Sequence, residues 1–480
     1  MSFVKDFTSF FRTRSDTNAD EVRAYLSGLM QAKRGAKNLE RMEEHVPDFN
    51  YQAVHNTISH SPWDYRPLMD EVARRADGLL GGAPHCRLVI DDTAFAKKGD
   101  CSVGVAPMYN GRLGKIENSQ NAVCTSLASG QRSTLVDIRL YLPKAWCDDS
   151  ERCDKAGIPA DQRQFLTKPQ IALQSIRHQR QLGIGFDRVS MDSGYGSDHA
   201  FLHALDRDGE RFVAEVHCDQ HIWTEAPWPH QQGARPGKPL LHAKASHPSQ
   251  RVDAWAAAQP DTAWQRLKVR DSDQGWVEVS YLAQRVWVVE GDVQKVWWLL
   301  VWEDPDARTN KGGKTTGPRR HYALGNDPAD EDPRVLVADG VGRNVVERNF
   351  RDGKSEVGMA DYQTRGWLAW HHHMVLVMLA LLFLTQERMH SPAPATPEGP
   401  INITSGDITF ILERLLPRRG QGPPDEEDLR RMLERRIKKR LKDQVRRRIK
   451  TRASRPPLWP DELLPQITEW SSGPRPCEST

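Results

Sequence analysis

Three acids stand where a carboxylate could do chemistry. Asp91 follows the short apolar run Arg87-Leu88-Val89-Ile90, Asp192 follows Val189-Ser190-Met191, and Glu347 lies inside Arg343-Asn344-Val345-Val346-Glu347-Arg348-Asn349-Phe350-Arg351-Asp352-Gly353-Lys354. Three carboxylates with few thiols or imidazoles nearby are hard oxygen donors, suited to Mg2+ or Mn2+. Two such ions can activate an attacking oxygen and stabilise the leaving one in an in-line phosphoryl transfer. Read as one helix, 343–358 places Arg343, Glu347, Phe350 and Lys354 at i, i+4, i+7 and i+11, on a single face. A carboxylate flanked by two cations suits anionic phosphate together with a metal ion. The plainer alternative is a solvated face on which Glu347 pairs with Arg343 and Arg351.

The elements needed to position these residues are legible in outline. Residues 1–80 read as a helical region, open to a DNA-binding role or to that of a plain cap. Over 81–216 the texture becomes strands (Ser102–Val105, Asn121–Ala128 and Thr134–Leu142 after the run at 87–93), helix (Lys168–Leu182), the strand ending at Asp192, helix (Asp198–Asp206) and strand (Arg211–Val216), an α/β core. Asp91 and Asp192 are expected at the carboxyl ends of buried strands, the edge where ligands bind in such sheets. From 217 to 317 the chain is dense in Trp, Pro and Gly and reads as a β-rich insertion, with strands at Trp264–Val269, Trp276–Val289 and Lys295–Trp302. Residues 318–390 return to the core, with the Glu347 helix and a long buried helix from Trp367. Residues 391–480 read as a Pro-rich linker, a basic helix to about Arg452 and a loose tail.

At 480 residues the chain expects more than one core. Its net charge is only +3, but Arg430–Arg455 carries 14 Lys/Arg against two acids, a local +12 that leaves −9 for the remainder. An acidic body with a basic arm points to a polyanionic partner. Within that arm Arg435, Arg436, Lys439, Arg440 and Arg447 are the candidate phosphate contacts, while Leu433, Ile437, Leu441, Val445 and Ile449 form an apolar stripe at i+4 spacing. Seven scattered cysteines without a CxxC pair read as reduced and cytoplasmic. The start of the chain lacks a signal-peptide core, and the longest apolar run, Met374–Leu384, is too short to span a bilayer.

The segments IDDTAFAKKGDCSVGVAPMYNGRLGKIENSQNAV, VSMDSGYGSD and RNVVERNFRDGKSEVGMADYQTRGWLAWHHHMVL resemble the DDE transposases of bacterial insertion sequences, in particular the IS 701 type. The resemblance runs from about Leu88 to Leu384. It implies a ribonuclease-H-like core interrupted by a β-rich insertion between the second Asp and the Glu, in keeping with the long Asp192–Glu347 interval. It implies that Asp91, Asp192 and Glu347 hold two Mg2+ (or Mn2+) ions for cleavage at the transposon end and strand transfer by the freed 3′-OH. Arg343 and Lys354 would clamp phosphates beside the cut, with Arg351 close by. The partners would be double-stranded DNA, as terminal inverted repeats and target, bound by a homodimer on paired ends. The family signature Y-x2-R-x3-E-x6-K is met at Arg343, Glu347 and Lys354, but its Tyr position is Gly340. Asp91 and Asp92 both stay open as the first ligand; the D-x-T spacing to Thr93 favours Asp91.

Other signals are weaker. His371-His372-His373 on a helix point about 100° apart and do not share one ion easily. His217, Cys218 and His221 could make a metal corner but lack a fourth ligand. Trp297, Trp298 and Trp302 read first as core residues and second as platforms for a flipped base. The rival functions are a DNA-binding protein that keeps the fold without catalysis and a metal-dependent nuclease without strand transfer. An aspartyl-nucleophile phosphatase is disfavoured because Asp91-Asp92-Thr93 lacks the alternate-Asp spacing.

Overall fold

The computed structural model describes all residues except 1, 15–16, 111–113, 228–246, 273–274, 291–292, 304–307, 310–314, 317–318, 391–394, 397–398, 401–402, 421, 423–424 and 455–480. Most of the expected Pro-rich linker and the tail past the basic helix therefore lie outside the described residues. In chain order the elements used below are α1 (Ala19–Gln31), α2 (Leu39–His45), α3 (Tyr51–Ser59), α4 (Tyr65–Leu80), β1 (Arg87–Ala96), β2 (Ala106–Asn110), β3 (Lys115–Ser129), β4 (Arg132–Tyr141), α5 (Lys168–Gln181), β5 (Arg188–Met191), α6 (His199–Arg207) and β6 (Phe212–Val216). They continue with β7 (Gln265–Ser272), β8 (Gly275–Glu290), β9 (Val293–Glu303), β10 (Arg320–Gly325), α7 (Pro333–Gly342), α8 (Val345–Glu356), α9 (Trp367–His390), α10 (Ser405–Leu415) and α11 (Glu426–Ser454). The chain is mixed α/β.

It forms two compact units, one of Met1–Ala83, Ile90–Gly185 and Val345–Asp443, the other of Pro84–Val89, Phe186–Asn344 and the chain from Gln444. In the first unit β3 pairs antiparallel with β2 and with β4 and lies beside β1. Local chemistry starts its helices. Asp64 caps α4 through the Arg66 amide, and Thr167 with Gln170 closes a capping box at the start of α5. α9 is apolar nearly all round and packs against α3, α4 and β4, as a core helix must. Among the described residues it is the one helix long and apolar enough to cross a bilayer, and 89% of its most apolar window is buried within the protein. Asp137, fully buried on β4, receives Arg66 of α4, Arg139 and the Ser175 hydroxyl of α5, so one carboxylate joins three elements.

In the second unit β5 runs parallel to β6, and β6, β10, β9, β8 and β7 follow in antiparallel order. Val279, Tyr281, Trp298, Leu300, Trp302 and Ala323 line one face of these strands and pack with Leu336 and Val337 of α7. The three strands expected of the insertion are present, and they continue the β6–β10 sheet by backbone pairing.

Three expectations about local structure need correction. β1 does not end at the acids: Thr93 and Phe95 are buried and carry the strand on to Ala96, so Asp91 is mid-strand. The helix expected over 343–358 is α8 alone. A separate α7, capped by Asp332 with Pro333 in its first turn, ends at Gly342, and Arg343-Asn344 form the turn between them. Gly340 and Gly342 weaken the helix there. Residues 102–105, expected as a strand, are loop, and the strand starts at Ala106.

The His371-His372-His373 run is buried in α9. His371 Nδ1 lies 2.9 Å from the Trp367 carbonyl, His372 stacks 3.7 Å from Trp63, and His373 Nδ1 lies 2.7 Å from the Tyr25 hydroxyl. Burial is the main cause that lowers His371 and His373 to about 3. Below the unfolded value of 6.5 the unfolded chain binds protons that these two imidazoles refuse. Stability present above pH 6.5 is then lost as pH falls, by up to about 1.4 kcal/mol per pH unit for each histidine. Urea unfolding between pH 6.5 and 4 is expected to show this steep loss; a flat profile over that window would contradict it.

Candidate functional site

Alternation along β1 sends Asp91 and Thr93 to one face and Asp92 to the other. The two faces have different occupants. Lys168, the first residue of α5, places its ammonium 2.7 Å from Asp92 Oδ2. On the other side Lys354 of α8 donates to Thr93 Oγ1 at 2.7 Å and to the Ala94 carbonyl at 3.1 Å, and sits 5.2 Å above the Phe95 ring. Earlier in the same helix Asn349 donates to Ser126 Oγ of β3 at 3.1 Å and accepts from Ser133 Oγ of β4 at 3.0 Å. α8 is thus laid across β4, β3 and β1 on the face that carries Asp91. The buried Cys124 thiol of β3 is pushed up first by burial, then by Asp91 and Asp92, with Lys354 opposing. These charges therefore share one neighbourhood.

Glu347 is exposed on α8, two helical turns before Lys354. Arg343 donates through Nε to Glu215 Oε1 of β6 at 3.0 Å, and Arg351, 68% exposed, approaches Asp352 at 3.9 Å. Burial would raise Glu215, but its bond with His321 and the charge of Arg343 hold its carboxyl below the ordinary value. In the second unit Asp192 comes directly after β5, half-buried, with Oδ1 accepting from the Gly194 amide at 3.0 Å. The turn behind it requires glycine at 196, where an added Cβ would fall 2.0 Å from the Glu215 carbonyl oxygen. Among the described residues no group of three or more His, Cys, Asp or Glu is gathered tightly enough to hold a metal ion. By chemistry, the carboxylates of Asp91, Asp192 and Glu347 fit a hard divalent cation.

Gly340, at the signature's Tyr position, packs against an indole: a Cβ there would meet Trp302 Cη2 at 2.8 Å. Trp302 in turn stacks on His321 at 5.3 Å. Trp297, Trp298 and Trp302 are all buried, Trp297 against Phe212 and His203, and Trp298 donates to the Pro328 carbonyl. His221 contacts Ser249 Oγ at 2.8 Å, and with His217 and Cys218 it forms no metal group.

The basic helix α11 divides its cations. Arg436 and Arg440 both reach Asp407, a buried carboxylate in the first turn of α10, and Ile437 is buried beside them. Burial would raise Asp407, but the Thr404 amide and these guanidiniums hold it low. Arg435, Lys438, Lys439 and Lys442 are exposed, as is Arg447 farther along. Two roles escaped the sequence reading. Lys168 as partner of Asp92 and Glu215 as partner of Arg343 carry no spacing signal, because 76 and 128 residues separate them from the groups they hold.

Residues 3–275 match the family described as DDE superfamily endonuclease. That span includes Asp91 and Asp192 and stops short of Glu347. The chain is also 25% identical over 225 residues to a protein of Microchaete diplosiphon described as "Probable transposase for insertion sequence element IS701"; the match covers 46% of this chain and 56% of that one. The chain thus spans little more than half the length of this curated relative.

The contact between Gly340 and Trp302 yields a stability test. Gly340→Tyr is expected to destabilise the protein by about 1–3 kcal/mol through overpacking. Adding Trp302→Ala should recover part of the loss. Additive losses in urea unfolding would show that the two side chains do not compete for one space.

Proposed function

We propose, from the premise that the chain belongs to the DDE superfamily of endonucleases, that it is a DNA transposase of the insertion-sequence type, built on a ribonuclease-H-like core. It would cut at transposon ends and join the freed 3′-OH to target DNA. The observation that carries the reading is the placement of the Glu347 helix on the Asp91 face of β1, clasped there by Lys354. The relative described as a transposase for an insertion sequence supports the same class of chemistry.

Asp91, Asp192 and Glu347 would hold two Mg2+ or Mn2+ ions. When bound, the ions would supply an activated attacking oxygen and charge stabilisation for the leaving one. Asp91 is favoured over Asp92 because Asp92 faces away from α8 and is neutralised by Lys168. Lys354 keeps α8 seated on β1. Arg351, exposed one turn after Glu347, is available to a phosphate. Arg343 is held toward Glu215 and would engage DNA from that anchored position. On α11 the anchor pair Arg436 and Arg440 fixes the helix to α10. The exposed Arg435, Lys438, Lys439 and Lys442, with Arg447 beyond, face solvent for the DNA backbone. A homodimer on paired DNA ends would complete the assembly.

Two experiments test the reading. With a transposon-end substrate and Mg2+, Asp91→Asn, Asp192→Asn and Glu347→Gln should each lower cleavage by more than about 100-fold, the upper range for losing a ligand's outer-shell support. End binding should persist, and Asp92→Asn should retain most activity. Full cleavage by Glu347→Gln would remove that residue from the site. Cleavage without joined products would favour a nuclease, and binding without cleavage a protein that keeps only the fold. In the second experiment, Arg435, Lys438, Lys439 and Lys442 are replaced together by Ala. If all four meet phosphates, the slope of log K against log salt should flatten by about 3.6. An unchanged slope would return the exposed face of α11 to solvent.

A further inference from the structure

The sheet face under α7 in the second unit turns polar at Glu215. Val213 and Ala323 on that face pack with Leu336 and Val337 of α7. Strand alternation puts Glu215, directly opposite Ala323, on the same side. A carboxylate set into such a face costs free energy unless partners offset it. Each oxygen of Glu215 has one: Arg343 donates through Nε to Oε1 at 3.0 Å, and His321 Nδ1 lies 3.3 Å from Oε2. The side chains of Glu215, His321 and Arg343 are each 16% exposed. His321 is itself braced. It is the cross-strand partner of Trp302, and their rings stack 5.3 Å apart and 1° from parallel. Trp302 lies against Gly340 in the last turn of α7, where an added Cβ would meet its ring at 2.8 Å. Contacts thus run from Gly340 through Trp302, His321 and Glu215 to Arg343, in the turn that follows α7. A cation after a helix C-terminus needs only water and the helix dipole; it does not need a carboxylate supplied by β6.

The register of the strands gives this anchor its place. β5 and β6 run parallel with Met191 paired to Ala214, so the next residues, Asp192 and Glu215, are neighbours in register on strands about 4.8 Å apart. The turn Ser193–Gly196 packs on β6 at the same level, against the Glu215 carbonyl. We propose that Glu215, braced by His321 and Trp302, is a positioning residue for Arg343. It holds the guanidinium at the level of Asp192, so that a DNA phosphate met by Arg343 is presented in register with that carboxylate. The inference rests on the function proposed above and gives Glu215 a part in it.

The test follows end cleavage by the full chain with Mg2+ for Glu215→Ala, Arg343→Ala and the double variant, with end binding and urea unfolding measured alongside. Glu215→Ala should lower kcat about 10- to 100-fold, the scale of a misplacement of about 1 Å, with KM and end binding near those of the wild type. Arg343→Ala should lose at least as much. The double variant should lose no more than Arg343→Ala alone, because Glu215 acts through Arg343. Glu215→Gln keeps an acceptor for Nε, and its smaller loss should likewise vanish in the Arg343→Ala background, which preserves the test if Glu215→Ala fails to fold. Losses that multiply would overturn the proposal, as would full kcat in Glu215→Ala. A lowered urea midpoint with kcat intact would mark the contact as structural and overturn it as well. If the wild type cuts no transposon end, the transposase reading fails and takes this proposal with it. If the wild type cuts and Arg343→Ala cuts equally well, only this proposal falls.

Discussion

The contact from Lys354 to Thr93 Oγ1 and the Ala94 carbonyl is the constraint on which the candidate chemistry depends. A lysine on a surface helix would ordinarily spend its charge in water. Here it is bent onto the backbone of a central strand. With the Asn349 bonds to Ser126 and Ser133, it fixes the rotation of α8 about its own axis. Glu347, two turns earlier, then has no freedom to face elsewhere without breaking that seating. Strand alternation does the rest: Asp91 shares the α8 side of β1, and Asp92 is turned toward α5 and Lys168.

Charge is arranged in two regimes around this frame. Where guanidiniums meet buried carboxylates they act as rivets, as Arg66 and Arg139 do on Asp137 and as Arg436 and Arg440 do on Asp407. Breaking one partner of such a pair strands the other in a poor dielectric, which makes them costly to disturb. Arg435, Lys438, Lys439 and Lys442 on α11 are exposed and can trade water for phosphate. The +12 of the basic segment is therefore an overestimate of what can reach DNA, since part of it holds α11 to α10.

Much of this was legible in the sequence. The strands β3, β4, β6 and β7–β9, and helices α5, α9 and α11 follow from apolar runs, caps and turn residues. The failures have physical causes. Asp91 was expected at a strand end because acids usually stop a buried run, but Thr93 and Phe95 find burial beyond it. The helix expected over 343–358 begins later, at Val345, because periodicity cannot register an arginine drawn away by Glu215. The faces of Asp91 and Asp92 were undecidable without knowing which helix covers which side. The contacts of Lys168 with Asp92 and of Glu215 with Arg343 are tertiary coincidences with no local signature. Gly340 broke the signature for a reason visible only in three dimensions, the Trp302 ring that fills its space.

The most direct test of the central claim is a Mn2+ titration of the DNA-bound protein followed by electron paramagnetic resonance. The account predicts two spin-coupled Mn2+ ions per chain, with binding disrupted by Asp91→Asn, Asp192→Asn or Glu347→Gln and preserved in Asp92→Asn. A DNA complex that binds no Mn2+, or one whose Mn2+ binding is indifferent to all three substitutions, would contradict it.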